Sequence, residues 1–279
     1  MPGTLILCAG PIGNLGDAPP RLAEALRSAA VVYAEDTRRA RVLLGHLGVS
    51  RPLRSYFAGN EAERASELAR RLEAGETVAL LTDAGMPTIS DPGLSAVRAA
   101  LGVGAAVTGI PGPSAVTLAA AVSGLPADRL AFEGFLPRKG ATRRERLASL
   151  TAEPRTMVFF SAPARLTADL EALSAALGGG RACAVCRELT KLHEEVWRGT
   201  LEEAVEHWGE TPARGEVTLV VEGAPASLPD GEAALRLVEE MVRLGATVSE
   251  ACRAVAADTG VARRVLYEAV TARRRDETP

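Results

Sequence analysis

Lysine is nearly missing from this chain of 279 residues: of 32 basic residues, only Lys139 and Lys191 are not arginine. With its abundance of alanine, the bias reads as the imprint of a GC-rich genome rather than of a function. Cysteine is scarce too, at four, and this usage fits a reducing, cytoplasmic compartment. Cys8 and Cys252 stand alone. Cys183 and Cys186 form one CxxC inside RACAVCREL, a strand-like run whose alternation points them to opposite faces, so they do not chelate one ion, and no metal is expected. No secretory leader is expected, since TLILCA is too short and follows no basic region. HExxH, GxSxG and a Walker loop are all absent, which excludes the corresponding metalloprotease, hydrolase and P-loop readings. Residues 99–127 carry no charge and are long enough to cross a bilayer. They are broken by Gly102, Gly104, Gly109, Pro111, Gly112, Pro113 and Pro126, however, and read as helix end, strand, turn and helix. A lipid-exposed span cannot satisfy its backbone through such a turn, so no membrane role is expected.

What is present is an ordinary globular composition, 47% hydrophobic and 24% charged, with length enough for one large or two smaller α/β domains. The net charge of −3 argues against a protein that coats nucleic acid non-specifically. Charge is nevertheless concentrated locally. Residues 137–146, PRKGATRRER, set Arg138, Lys139, Arg143, Arg144 and Arg146 against Glu145 for a balance of +4, which leaves the rest of the chain at −7. This stretch reads either as a patch for phosphates or as a solvated helix start.

Short apolar runs alternate with helical patterns, as in a mostly parallel sheet. TLILCA (4–9), VVYA (31–34), TVALLT (77–82) and AAVTGI (105–110) read as strands. A helix starts near Pro20, and another over 61–74 has Asn60 and Glu63 spaced as a capping box. Beyond residue 123 the pattern restarts with strands LAFEGF (130–135), TMVFF (156–160), ACAVCRE (182–188) and VTLVVEG (217–223). From Leu228 the chain turns helical, over about 230–244 and then 246–270 with a break at Thr259-Gly260, like a small helix-turn-helix unit. The expected domains are 1–122, 123–224 and a tail at 228–279. The tail from residue 261 has five arginines against Glu268, Asp276 and Glu277, thin for autonomous nucleic-acid binding.

Three strands run into Gly/Pro/Asp loops that each lead into a helix: CAGPIGNLGD (8–17), DAGMPTISDPG (83–93) and PGPS (111–114). In an open α/β sheet such loops gather at the carboxyl edge, where ligands bind. Gly10, Gly13 and Gly16 do not follow the dinucleotide spacing, and Glu35-Asp36 end the second strand. Gly85 suits a backbone conformation that exposes amides to a ligand, Asp83 can accept bonds from a hydroxyl or ammonium, and Ser114 sits at a helix start, where it would ordinarily cap.

CAGPIGNLGD, AEDTR (34–38), TDAGMPTISDPG (82–93), IPGPSA (110–115), FEGFLPRKG (132–140) and RELTKLHEEVWRGTL (187–201) together resemble the motif series of the bacterial ribosomal RNA small subunit methyltransferase I family, in the tetrapyrrole-methylase superfamily. The resemblance runs from Leu5 to Gly223, and the tail is similar to a helix-turn-helix extension of that family. It implies an α/β protein of two α/β/α domains with a small helical C-terminal extension, a homodimer with S-adenosylmethionine in its cleft. It further implies 2′-O-methylation of a cytidine in 16S RNA of the small ribosomal subunit. Carried over by motif, the cofactor residues are Pro11, Asp83, Gly85, Met86, Ser114 and Ala115, with Leu192, Gly215 and Glu216 from the second domain. Arg38, Arg138, Lys139, Arg143 and Arg144 are expected to meet RNA.

A ribose hydroxyl is a weak acid, so a base or a cation near the alkoxide is needed. Glu35, Asp36 and Lys191 are the catalytic candidates, with Arg38, Lys139 and Glu188 behind them. Lys191 and Glu188 can also simply pair across a helical turn. The sequence departs from the family at Gly10 and Met86, where threonine is usual, and at FFSAPAR (159–165), which stands where Y-E-S-P-H-R is general. Two rivals remain: a methylase of tetrapyrroles or of another small-molecule or protein substrate in the same fold, and a nucleic-acid-binding regulator that works through its tail.

Overall fold

The computed structural model describes residues 1–225 and 231–276. In chain order the first part contains β1 (Thr4–Cys8), α1 (Pro20–Ser28), β2 (Val31–Ala34), α2 (Thr37–His46), β3 (Leu53–Ser55), α3 (Glu61–Glu73), β4 (Thr77–Leu81), α4 (Leu94–Gly102), β5 (Ala106–Ile110) and α5 (Ala115–Ser123). Pro20 occupies the first turn of α1, where its missing N–H costs nothing. The five strands form one parallel sheet in the order β3-β2-β4-β1-β5. Helices cover both faces, which is why β2 and β4 read as nearly unbroken apolar runs. Leu22, Leu26, Leu43 and Leu44 of α1 and α2 pack on one face, and Leu68, Leu72, Ala96 and Ala100 of α3 and α4 on the other. Each such leucine contributes about 1.5–3 kcal/mol on burial.

One strand is added to the sequence reading and one local expectation is corrected. β3 carries the polar sequence LRS over three residues, too short to announce itself, and it exists through pairing with β2. The capping box at Asn60 and Glu63 does not form: the Asn60 side chain makes no capping bond to α3, and its Oδ1 instead accepts from the Phe57 amide at 2.9 Å.

The second part runs β6 (Leu130–Phe135), α6 (Gly140–Leu150), β7 (Thr156–Ser161), α7 (Leu166–Leu177), β8 (Ala182–Arg187), β9 (Glu195–Thr200), α8 (Leu201–Glu210) and β10 (Val217–Val221). Its sheet has the order β6-β7-β10-β8-β9, with β6 and β7 parallel and the other pairs antiparallel. β9 is a strand the sequence concealed, since EVWRGT is only half-buried. It makes residues 188–194 a β8–β9 turn in which Glu188 (φ 53°) and Thr190 (φ 67°) are left-handed.

One face of this sheet packs on Leu170, Leu173 and Trp208 of α7 and α8. The other receives Ala119 and Ala120 of α5 against Val158, Ala184, Cys186 and Val220. Arg198 on β9 donates to the carbonyls of Val122 and Ser123 at the end of α5. Residues 115–123 therefore rest on the second sheet, and a boundary after residue 122 falls at the end of a helix that joins the two halves. Cys183 and Cys186 lie in cores on opposite sides of β8, and burial pushes their thiols up to about 12 and about 11.

Residues 224–279 form a separate compact unit of α9 (Gly231–Arg243), α10 (Val248–Thr259) and α11 (Arg263–Asp276). It has its own core of Val238, Cys252, Val255, Leu266 and Val270. Thr247 and Glu250 form a capping box at the start of α10, and Gly260 ends that helix in the left-handed conformation, as the Thr259-Gly260 break led one to expect. Of the expected tail, residues 228–230 and 277–279 lie outside the described residues. Among the described residues no helix is long and apolar enough to cross a membrane, and no group of three His, Cys, Asp or Glu is placed to hold a metal ion.

Candidate active site

The strand order brings four carboxyl ends side by side: Ala34 aligns with Leu81, Leu81 with Cys8, and Cys8 with Ile110. The loops that follow must therefore open on one edge of the sheet. Gly10 and Gly85 exchange backbone hydrogen bonds of 2.9 and 3.2 Å, tying the first loop to the second. Gly85 is left-handed, with φ 68°, but its amide is spent on the Gly10 carbonyl and is not open to a ligand. What this glycine supplies is the shape of the turn. At the far end of the same loop, Glu61 accepts from the Gly93 amide at 3.1 Å and from Ser95 Oγ at 2.6 Å. Ser114 occupies the N-cap of α5 yet makes no capping bond.

These loops and the edge of the second sheet enclose a cavity of about 440 Å³. Eight expected residues line it together: Glu35, Asp83, Gly85, Met86, Ser114 and Ala115 from the first half, Gly215 and Glu216 from the second. Pro11 and Lys191 line an adjoining hollow instead. Asp36 lines neither; it is the N-cap of α2, accepting from the Arg38 amide at 2.7 Å and pairing with Arg38 Nη2 at 2.6 Å. Leu192 also lines neither and is 93% exposed at the β8–β9 turn. Sequence reasoning missed Asp91, Phe160, the Ser161-Ala162-Pro163 segment and Leu189, all on the cavity wall. For Asp91 a signal existed: it is an acid inside a Gly/Pro loop at a strand end. The others fall within FFSAPAR and RELTKL, segments that the resemblance marks, but as apolar or small residues they have no chemistry of their own to single them out.

The acids of the wall differ in character. Burial, then the charge of Asp83, raises the Glu35 carboxyl above its ordinary range. Burial, then Glu35, pushes Asp91 up to about 6. Asp36 is held far below the usual carboxylate range by its hydrogen bonds from Arg38. Asp83 Oδ1 accepts from the Asp36 amide at 3.0 Å, and Oδ2 lies 3.3 Å from Arg39. Lys191 pairs with Glu188 at 2.7 Å and Glu216 at 3.2 Å. The pair forms in a β-turn, not across a helical turn. Burial lowers the Lys191 pKa, but the hydrogen bond to Glu188 and the charge of Glu216 outweigh it and hold the ammonium protonated.

Of the basic stretch, Arg138, Lys139 and Arg144 are exposed. Arg143 is not available with them. Its guanidinium is turned inward onto the buried Asp169 at 2.8 Å and onto the Pro137 and Ala168 carbonyls. Arg38 stands exposed at the start of α2.

The profile of the Tetrapyrrole (Corrin/Porphyrin) Methylases matches residues 4–205. The ribosomal RNA small subunit methyltransferase I of Mycobacterium tuberculosis is 49% identical over 277 residues, covering 98% of this chain and 96% of its own. The chain belongs to that methyltransferase family. The namesake from Xylella fastidiosa is 44% identical over 272 residues, 95% of this chain and 98% of its own. Among solved structures, uroporphyrin-III C-methyltransferase from Thermus thermophilus, complexed with S-adenosylhomocysteine, superposes with a TM-score of 0.56. It shares 23% identity and covers 79% of this chain and 97% of that one. That likeness shows the fold.

Proposed function

We propose that the chain transfers a methyl group from S-adenosylmethionine to the ribose 2′-hydroxyl of a cytidine in 16S ribosomal RNA, as a cytoplasmic homodimer. The observation that carries this reading is the near full-length identity to relatives of that name, joined to a cavity in which three strand-end loops converge.

The residues fit the cofactor. Glu35, Asp83 and Asp91 complement a cationic sulfonium and ammonium, Ile12, Met86, Val116 and Leu189 offer apolar walls, and Ser114 brings a hydroxyl free of capping duty. S-adenosylmethionine, when bound, supplies an electrophilic methyl on sulfur. The work left to the protein is alignment and proton removal. Glu35, with Asp91 beside it, is the carboxylate suited to take the hydroxyl proton at its oxygen, since both are raised. Asp36 is too acidic a group for that role, and Lys191, protonated, serves instead as a fixed cation for the RNA or the developing alkoxide.

Arg38, Arg138, Lys139 and Arg144 are the proposed phosphate contacts, and 1–122 and 123–224 the two methylase domains with 228–279 as an accessory tail. Support for the homodimer comes from β5 as the last strand of its sheet, and from Leu94 and Leu101 of α4, which are solvent-exposed. The fold shared with the uroporphyrin enzyme keeps a tetrapyrrole substrate as the second reading; FLPRKG and the basic stretch favour RNA. Mass mapping of 16S RNA from a strain lacking the gene tests the choice. One ribose-methylated cytidine should become unmethylated, and an unaltered RNA would refute the proposal.

A further inference from the structure

Beside the cofactor cavity lies a second hollow of about 390 Å³, and the two share a wall formed by Ile12, Arg39, Asp83, Ala84 and Glu216. We propose that this hollow is the acceptor subsite. It takes one unpaired nucleotide drawn out of its stack, with the ribose at the shared wall and the phosphate on the cations of the rim. The inference rests on the methyl-transfer reading and adds to it where the acceptor sits.

Position is the first argument. Donor and acceptor atoms must come within about 3–3.5 Å, and a methyl held in the first cavity can be met through the wall that both compartments share. Size is the second. The hollow falls in the range of about 300–1,000 Å³ typical of sites for one small ligand, which suits a single nucleotide and not a duplex. Its chemistry is the third. Leu15 and Val42, 37% and 63% exposed, are apolar side chains left in solvent, as a site that packs the face of an extruded base requires. Around them stand two sets of ion pairs whose cations face the hollow: Arg39, exposed, with Asp83, and Lys191 with Glu188 and Glu216.

Lys191 is not a swinging surface side chain. A Cβ added at Gly13 would lie 2.5 Å from Lys191 Cγ and 2.9 Å from its Cε, so glycine at 13 is what lets the lysine stem lie flat at the end of the hollow. Glu188 and Glu216 then fix its ammonium. The lysine of the β8–β9 turn is thereby built into the rim.

Val42→Asp tests the assignment, because an exposed position tolerates the change and a carboxylate there repels the base and phosphate. Leu15→Asp does the same from the first loop. Each variant should raise KM for purified small ribosomal subunits by about tenfold, equivalent to roughly 1.4 kcal/mol, while the calorimetric Kd for S-adenosylhomocysteine stays within about twofold of wild type. Unchanged KM in both variants would overturn the subsite. A Kd that weakens in step with KM would also overturn it, by giving the hollow to the cofactor. Wild-type protein that binds S-adenosylhomocysteine but methylates no subunit would overturn the proposed function itself, and the subsite with it.

Discussion

On the side of the first sheet the cleft is made of backbone: three loops at adjacent strand ends, two of them bridged through Gly10 and Gly85, with a left-handed turn at Gly85 and an uncapped serine at α5. On the side of the second sheet it is made of side-chain pairs. Ser161, on the cavity wall, donates to the buried Asp169 at 2.9 Å, and Asp169 also holds Arg143 and Arg165. Gly215 and Glu216 are packed against Glu188, which accepts from the Glu216 amide at 2.8 Å. The difference teaches where each kind of damage will show. Loop substitutions should show in ligand affinity, and second-sheet substitutions chiefly in stability.

The largest effect is expected at Asp169. Asp169→Ala leaves Arg143 turned inward without its carboxylate, and breaking such a buried pair costs about 3–5 kcal/mol. Urea denaturation should show the loss; one below about 1 kcal/mol would mean that Arg143 swings out to water and the wall is not held by this pair. Gly85→Val comes next. Little crowds a Cβ there, the nearest atom being the Pro113 carbonyl oxygen at 3.7 Å, so the penalty is the left-handed backbone, about 1–2 kcal/mol. Calorimetry should find S-adenosylhomocysteine binding at least about tenfold weaker, equivalent to 1.4 kcal/mol; full affinity would show that the bridge does not shape the site.

Ser114→Ala sharpens the contrast further. Removing a working N-cap costs about 1 kcal/mol, but this serine caps nothing, so stability should stay within about 0.5 kcal/mol. Cofactor affinity should drop by roughly fivefold, the equivalent of one hydrogen bond near 1 kcal/mol. A stability loss with unchanged affinity would make Ser114 structural.

The smallest effect concerns Asp91, whose carboxyl rises from 3.8 to about 6 through burial and then Glu35. A carboxyl raised on folding supports the folded state below its unfolded pKa and loses that support as pH climbs to the folded value. Stability should therefore fall between pH 3.8 and about 6 by a component that Asp91→Asn removes. Denaturation curves across that window, identical in slope for the two proteins, would return Asp91 to solvent.

The same contrast explains what could be read from sequence. Parallel strands buried on both faces, such as VVYA and TVALL, announce themselves as apolar runs. LRS and EVWRGT do not, being short or half-exposed and stabilised by pairing with β2 and β8. The first wall was legible because glycine, proline and aspartate at strand ends are dictated by backbone geometry. The second wall was mostly hidden because Phe160, Ser161 and Leu189, although inside quoted motif segments, are apolar or small side chains that show no chemistry until the fold turns them to the cavity. Lys191 and Leu192, neighbours in one motif, were parted by a turn that sets one on the rim and the other in solvent. Arg143 was misplaced for a related reason. Charge counting registers its sign, while the partner that turns it inward, Asp169, is 26 residues away.

The most direct test of the central claim is methyl transfer in vitro. Purified protein is incubated with methyl-labelled S-adenosylmethionine and small ribosomal subunits from a strain lacking the gene, and the RNA is digested to nucleosides. The account predicts label in 2′-O-methylcytidine alone, at about one methyl per subunit, with the rate at limiting cofactor reduced by roughly fiftyfold in a protein carrying Gly85→Val and Ser114→Ala together. Label on a base, or none in RNA while a porphyrinoid is methylated, would contradict it.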